Sequence, residues 1–253
     1  MKIYENYLTE NPCFKANKKI QVKGLMLHSV GCSQPKASVF IKNWNRAEFD
    51  RACVHAFIDG ETGDVFQCLP WSHRGWHGGG SSNNTHIGVE MCEPSSIKYK
   101  GGSSSFEVLN YENAVEVVKR TYSSAVELFA FLCDKYGLNP LKDIVSHKEG
   151  HSKGIASSHD DPEHLWMGLG LPYTMDTFRE DVQNFMSKMY EDEEKEERFQ
   201  TVQDLPLWAQ KDIQELIDEK ILTGTGQGLD LSLDMVRTII LTRRMINDAN
   251  KTV

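Results

Sequence analysis

Residues 23–30, Lys-Gly-Leu-Met-Leu-His-Ser-Val, form an apolar run that reaches His28 and reads as a β-strand. Two further short apolar runs, 54–59 (VHAFID) and 64–69 (DVFQCL), flank Gly60-Glu61-Thr62-Gly63 and predict a hairpin. Another strand is expected over 86–93 (HIGVEMCE), between the loop-forming GGGSSNNT and a glycine- and serine-rich stretch around 95–105. Glu90 falls within this strand or near its end. From about 111 to 136 the period changes. Val115, Val118, Tyr122, Val126, Phe129 and Cys133 recur at steps of three and four, so one face of a long helix packs on the sheet, and Gly137 and Pro140 end it. A last strand, 143–147 (DIVSH), delivers His147, followed by a loop rich in Ser, Gly and His up to residue 160. Strands with a long covering helix make an α/β layered domain.

Beyond residue 190 the pattern breaks. Glu-Asp-Glu-Glu-Lys-Glu-Glu-Arg (191–198) sets six acids against two bases and cannot pack a core, so it reads as a charged linker or a solvated helix end. Ala209, Ile213, Leu216 and Ile217 then share one helical face, and Ser232 is placed to cap a second helix carrying Val236, Ile239, Ile240 and Met245. The expected organisation is a domain over 1–188, a charged linker over 189–200 and a small helical module over 201–253. The turn TGTGQG between the two helices lacks the Gly-Lys-Ser/Thr ending of a phosphate cradle and reads as a plain turn.

Composition narrows the function. A length of 253 residues suits one full domain plus a smaller one. With 40% hydrophobic and 25% charged residues the chain has globular composition, and no apolar run is long enough to span a bilayer, so no membrane insertion is expected. A formal charge of −8 argues against a nucleic-acid partner, whose phosphates would call for a basic surface. The first residues carry no signal-peptide-like apolar run, so the chain is expected to be made in the cytoplasm without a classical secretion signal. Six cysteines (13, 32, 53, 68, 92 and 133) stand singly with no Cys-x-x-Cys pair, which fits reduced, partly buried thiols.

The candidate chemistry lies in the histidines. His28, His55, His73, His77, His86, His147, His151, His159 and His164 number nine, and several fall at predicted strand ends or in loops beside acids. A catalytic zinc site takes three protein ligands and leaves a position for water, and histidines so placed can build one. Spacing alone does not choose the ligands. His147 and His151 are four apart, but the order His-Lys-Glu-Gly-His lacks the Glu beside the first His that a helical zinc-protease motif needs, and Gly150 is expected to break a helix there.

Taken together, GLMLHSV, VHAFID, HRGWHGGG, HIGVEMCEP and VSHKEGHSKGIASSHDDPEHLW resemble the zinc amidase family that includes phage lysozyme-type amidases and peptidoglycan recognition proteins. The resemblance covers roughly residues 20–185 and is strongest to N-acetylmuramoyl-L-alanine amidases of phages and prophages from gut Firmicutes. It implies a central mixed β-sheet flanked by helices, and zinc-dependent hydrolysis of the bond between N-acetylmuramic acid and L-alanine in peptidoglycan. It further implies that His28, His147 and Asp161 are the zinc ligands. The family's Lys-x-Asp-Pro-Gly ending is here His159-Asp160-Asp161-Pro162-Glu163, so His159 replaces the lysine that stabilises the oxyanion, and the glycine is absent. Val54 occupies a position that can carry tyrosine in the family, which passes the general-base role to Glu90.

Trp76, His77 and Asn84 are the candidate substrate-binding residues, although core packing is the default for Trp76 and Trp166. His55 is expected to pack in the sheet; His151 and His164 receive no role. Residues 201–253 resemble S-layer-homology-like repeats at the ends of some phage endolysins, which implies wall binding or self-association, including a homodimer; packing as a plain helical extension is the alternative. The resulting expectation is an endolysin released by a holin and acting on peptidoglycan. A non-catalytic peptidoglycan-binding protein and a cytosolic wall-recycling amidase are its rivals.

Overall fold

The computed structural model describes residues 1–101, 103–195 and 198–250, with the side chains of 191–195 and 247–250 outside the description. The chain divides into two compact units, Met1–Lys188 and Met189–Val253.

The first unit is built on a six-stranded sheet. In chain order its elements are β1 (Ile3–Glu5), α1 (Pro12–Ala16), β2 (Gly24–Ser29), α2 (Ala37–Trp44), β3 (Ala56–Ile58), β4 (Val65–Gln67), β5 (His86–Met91), β6 (Ile97–Tyr99), β7 (Phe106–Val108), α3 (Tyr111–Tyr136), α4 (Pro140–Asp143), β8 (Ile144–Ser146), α5 (His147–Ser152), α6 (Glu163–Gly168) and α7, which starts at Met175 and runs to Lys195. The strand order is β1-β4-β3-β5-β2-β8. Strands β3, β5, β2 and β8 are mutually parallel, whereas β4 returns antiparallel to β3 and β1 joins parallel to β4. The sheet is therefore mixed, as expected, and flanked by helices.

Every residue of β2 is buried, which explains why it reads as an unbroken apolar run: a central parallel strand has both faces covered. The predicted hairpin is present as β3–β4, and Asp59 fixes its turn by accepting from the Glu61 and Thr62 N–H groups at 2.9 and 3.1 Å. Helix α3 spans the predicted residues. Asn110 caps its start, Gly137 ends it in the left-handed region at φ 64°, and it packs against β3 and β5. Its buried face is wider than the stepping suggests, taking in Val117, Thr121, Leu128 and Leu132 as well, while Val115 is half-buried. Trp166 is fully buried and meets the stacked rings of Tyr122 and Tyr173 edge-on, so its default core role holds.

Two expectations around residue 147 need correction. The strand stops at Ser146, and His147 is the first residue of α5 rather than the last of a strand. Gly150 does not break that helix. It lies inside it because a Cβ there would meet Met26 Cε at 2.8 Å and Ala156 Cβ at 3.0 Å, so close packing outweighs propensity.

The second unit contains β9 (Arg198–Phe199), α8 (Leu207–Asp218), β10 (Leu231–Ser232) and α9 (Leu233–Asn250), with β9 and β10 antiparallel. Phe199, Leu205, Ala209, Ile213, Leu216, Leu231, Val236 and Ile240 form its core. Ser232 caps α9 by accepting from the Met235 N–H at 3.3 Å. Met245, expected on the packed face, is instead exposed, because the buried stripe of α9 ends near Ile240. Within the predicted linker, residues 189–195 are helical and residues 196 and 197 lie outside the described residues.

Candidate active site

Three elements bring His28, His147 and Asp161 together. His28 sits on β2, His147 opens α5 at the end of the neighbouring β8, and Asp161 lies just before α6. All three are buried, and their ligating atoms lie within 4.8 Å of one another. His28 Nδ1 is 3.1 Å from His147 Nδ1 and 3.1 Å from Asp161 Oδ2, and His147 Nδ1 is 3.4 Å from Asp161 Oδ1. Two donors on a tetrahedral zinc at ordinary bond lengths stand about 3.3 Å apart, so this cluster fits that ion.

Hydrogen bonds behind the cluster set the histidine tautomers. The His86 carbonyl can only accept, so His77 Nε2, 3.1 Å away, carries a proton. Burial, then the neighbouring His28 and His55, holds the His77 pKa well below the usual histidine value, so the ring is neutral and its Nδ1 accepts. The His28 Nε2–H donates to that Nδ1 at 3.0 Å. Burial also lowers the His28 pKa despite Asp161, which leaves its Nδ1 as a bare lone pair facing the cluster. On the other side Ser157 Oγ donates to the Gly78 carbonyl at 3.3 Å and so receives the His147 Nε2–H at 3.2 Å, freeing His147 Nδ1. Burial pushes the Asp161 carboxyl up, but the facing His147 and His28 rings outweigh it and hold the pKa below the carboxylate range. Two lone pairs and one carboxylate thus converge, a donor set that could hold a metal ion.

His77 lines the cleft and also supports His28 from behind. It is buried behind His28, where Asn83 Oδ1 accepts from the His77 and Gly78 N–H groups, both at 2.9 Å. Gly88 leaves room for it, since a Cβ there would collide with the His77 ring. His77→Ala should lower zinc affinity by about 10- to 100-fold, and His77→Gln, whose side-chain oxygen can still accept from His28, should recover part of that loss. Competition against a chromophoric chelator measures both; unchanged affinity in the alanine variant would remove this role.

Glu149 also differs in role from a zinc-protease glutamate. It closes a capping box with Ser146, and Arg179 of α7 grips it through both guanidinium nitrogens at 2.9 and 3.0 Å. This pair fixes the end of α5 that carries His147. His151 is exposed on the same helix and stands outside the cluster.

A cleft of about 810 Å³ opens over His147 and Asp161, lined among others by Trp76, Glu90, Tyr99 and His159. Glu90 pairs in register with His28 across β2 and β5. Burial, then Asp161 and Glu93, pushes its pKa well above the ordinary carboxylate value. His159 is exposed, its ring centre 4.3 Å from that of His147 and its Nδ1 3.2 Å from Ser157 Oγ. Asp160 turns away from the ligand cluster and accepts from Ser104 at 2.9 Å. Trp76 is about half exposed at 48%, with the Arg74 guanidinium 5.9 Å from its ring centre, so it is a cleft residue and not a core one. Asn84 does not reach the cleft: its exposed side chain accepts from Arg74 Nε at 2.7 Å, and the neighbouring Asn83 is the one turned inward. His55 packs against the sheet as expected, donating to the His73 carbonyl at 2.8 Å and accepting from the Gly88 N–H at 3.0 Å.

The family model described as N-acetylmuramoyl-L-alanine amidase matches residues 18–164. No curated protein sequence matches the chain. Among solved structures, the hydrolase AmiA of Staphylococcus aureus, in complex with its ligand, is similar at 18% identity and a TM-score of 0.56, over 75% of this chain and 86% of that one. The catalytic domain of XlyA is similar at 18% identity and a TM-score of 0.51, over 72% of this chain and 99% of that one. A mutant endolysin from Bacillus subtilis gives 18% identity and a TM-score of 0.50, over 72% and 99% of the two chains. At these identities the structures show a shared fold.

Proposed function

We propose, from the premise that this chain belongs to the N-acetylmuramoyl-L-alanine amidase family, that it is a zinc-dependent peptidoglycan amidase acting as an endolysin. The observation that carries the metal reading is the convergence of two histidine lone pairs and the Asp161 carboxylate at the floor of an open cleft. His28, His147 and Asp161 would hold the ion. When bound, zinc lowers the pKa of a water molecule to about 7 and polarises the scissile carbonyl.

The chain's own residues supply the proton traffic. Glu90 takes a proton from the attacking water and returns it to the nitrogen of L-alanine as the amide breaks. His159 donates to the carbonyl oxygen as negative charge develops there. The exposed face of Trp76 offers a stacking surface for a sugar ring. This complement of ligand donors and a base favours catalysis over mere binding of peptidoglycan. The endolysin role draws on the likeness to the fold of a mutant Bacillus subtilis endolysin, and in that role a holin would release the chain to the wall. No helix among the described residues is long and apolar enough to cross a membrane. Residues 1–188 are assigned to catalysis and 201–253 to wall binding or self-association; of the 189–200 expected as a linker, Arg198 and Phe199 belong to the fold of the second unit.

The test is appearance of free L-alanine amino termini in purified peptidoglycan. Release should cease on chelation and return with added zinc, and a chain ending at residue 200 should pellet less with walls than the full chain. Release that persists after complete metal removal overturns the zinc reading, and equal pelleting overturns the wall-binding role.

A further inference from the structure

Away from the ligand cluster, two thiols face each other where α1 meets the segment leading into β3. Cys13 on α1 is half-buried, and Cys53, fully buried, belongs to the core cluster that Cys13 packs against. Asn11 joins the two segments: its Oδ1 accepts from the Cys13 N–H at 2.9 Å and its Nδ2 donates to the Ala52 carbonyl at 3.2 Å. One side-chain amide thus spans from the Cys13 backbone to the peptide bond that leads into Cys53. Both cysteines also share Trp76 as a neighbour. Cys53 exchanges two backbone hydrogen bonds with it, at 2.9 and 2.8 Å, and Trp76 borders the groove of about 230 Å³ that Cys13 lines. Lys18, Asp50 and Arg74 stand in the wall of that groove.

The two thiols are unequal. The Cys53 S–H, turned to the Cys13 sulfur, holds the Cys13 pKa below the ordinary thiol value against burial, with help from Arg74. The same contact, together with burial, pushes the Cys53 thiol far up. Cys32 is exposed, yet burial, then Glu93 and Glu90, pushes its pKa up to about 11.

We propose that Cys13 and Cys53 form a thiol–disulfide site, with Cys13 the attacking and Cys53 the resolving thiol, that reacts with low-molecular-weight disulfides bearing carboxylates. Lys18 and Arg74 outweigh Asp50 in the groove, which suits an anionic disulfide. Cys13 loses its proton to solvent, and its thiolate attacks one sulfur of the small disulfide and expels the other as a thiolate. Cys53 then gives up its proton, and its sulfur attacks Cys13 Sγ and expels the second thiolate. The two leaving thiolates take up the two protons, so the protein loses two electrons and one small disulfide becomes two thiols. The new bond ties α1 to the segment paired with Trp76 and restricts the unfolded chain.

The test incubates the full chain with oxidised glutathione, quenches with acid and maps the linked peptides by mass spectrometry. Cys13–Cys53 should be the first disulfide to form, and iodoacetamide should label Cys13 of the reduced chain about tenfold faster than Cys32. Cys53→Ala should stop at a Cys13–glutathione adduct, and Cys13→Ser should leave Cys53 unmodified. The oxidised wild type should melt about 5–10 °C above the reduced one, a difference both variants lose. A Cys13 that stays reduced, an adduct that persists on it in the wild type, a bond from Cys53 to its core neighbour Cys68, or faster labelling of Cys32 each overturns the site. An oxidised chain that melts no higher overturns the tie to α1. Each readout is independent of peptidoglycan cleavage.

Discussion

Replacing His147 by alanine is expected to remove both bound zinc and amidase activity, with kcat/KM falling roughly 10³-fold or more. The reason lies in the number of ligands. A catalytic zinc held by three side chains has no spare donor, and the remaining His28 and Asp161 would be left with two positions. The neighbours of His147 exist to aim it: Ser157 takes its Nε2–H, the capping box of Ser146 and Glu149 starts its helix, and Arg179 secures that glutamate. None of these can replace the lost Nδ1. Metal content by mass spectrometry, peptide release and circular dichroism should be measured on the same preparation. Loss of metal and activity in a folded chain is the expected result. A folded variant that keeps zinc and more than about a tenth of its activity would place the ligand elsewhere.

The ligand set was legible in the sequence through the family resemblance and not through spacing, which leaves nine histidines open; within that resemblance the Asp-Pro step points to Asp161 over Asp160, whose side chain meets Ser104. Where several roles suit one residue, only packing decides. His77 and Asn84 look like cleft residues in a Gly-rich loop; His77 lines the cleft and also reaches behind His28 through the space at Gly88, whereas Asn83 rather than Asn84 turns inward. One misreading had a local signal: Ser146-His147-Lys148-Glu149 carries the Ser-x-x-Glu pattern of a helix start, which places His147 in a helix, whereas Gly150 had none, since its place follows from the approach of the distant Met26. The β6–β7 hairpin had none either, since its short strands are broken by a glycine- and serine-rich loop and the two side chains that meet its Tyr99 hydroxyl, Glu93 and His164, lie far apart in the chain. The same holds for β1 and α1 in the first twenty residues, where polar positions outnumber apolar ones.

Glu90→Gln should keep zinc and substrate binding yet lower kcat by about 10²- to 10⁴-fold, the range in which a positioned general base contributes. Glu90 is held beside His28 by strand register, faces the cleft, and has one buried oxygen, Oε2, with no hydrogen-bond partner among the described residues. A buried carboxylate oxygen without a donor is costly for folding alone. It is the arrangement a base needs, because nothing competes with the proton it is to receive. Burial, Asp161 and Glu93 act together to raise its proton affinity, whereas a cation at the ligand cluster would pull that affinity back down. The base works only when ionised, so wild-type kcat must fall as pH drops through the Glu90 pKa. Glutamine has nearly the same shape and cannot titrate, so the variant should lose that acid limb along with its rate. Single-turnover release of stem peptide across the pH range, with zinc content measured alongside, reads both effects. Near-full kcat in the zinc-loaded variant would transfer the base role away from Glu90, and His159, the other titratable side chain at the cleft surface beside His147, would be the next group to test.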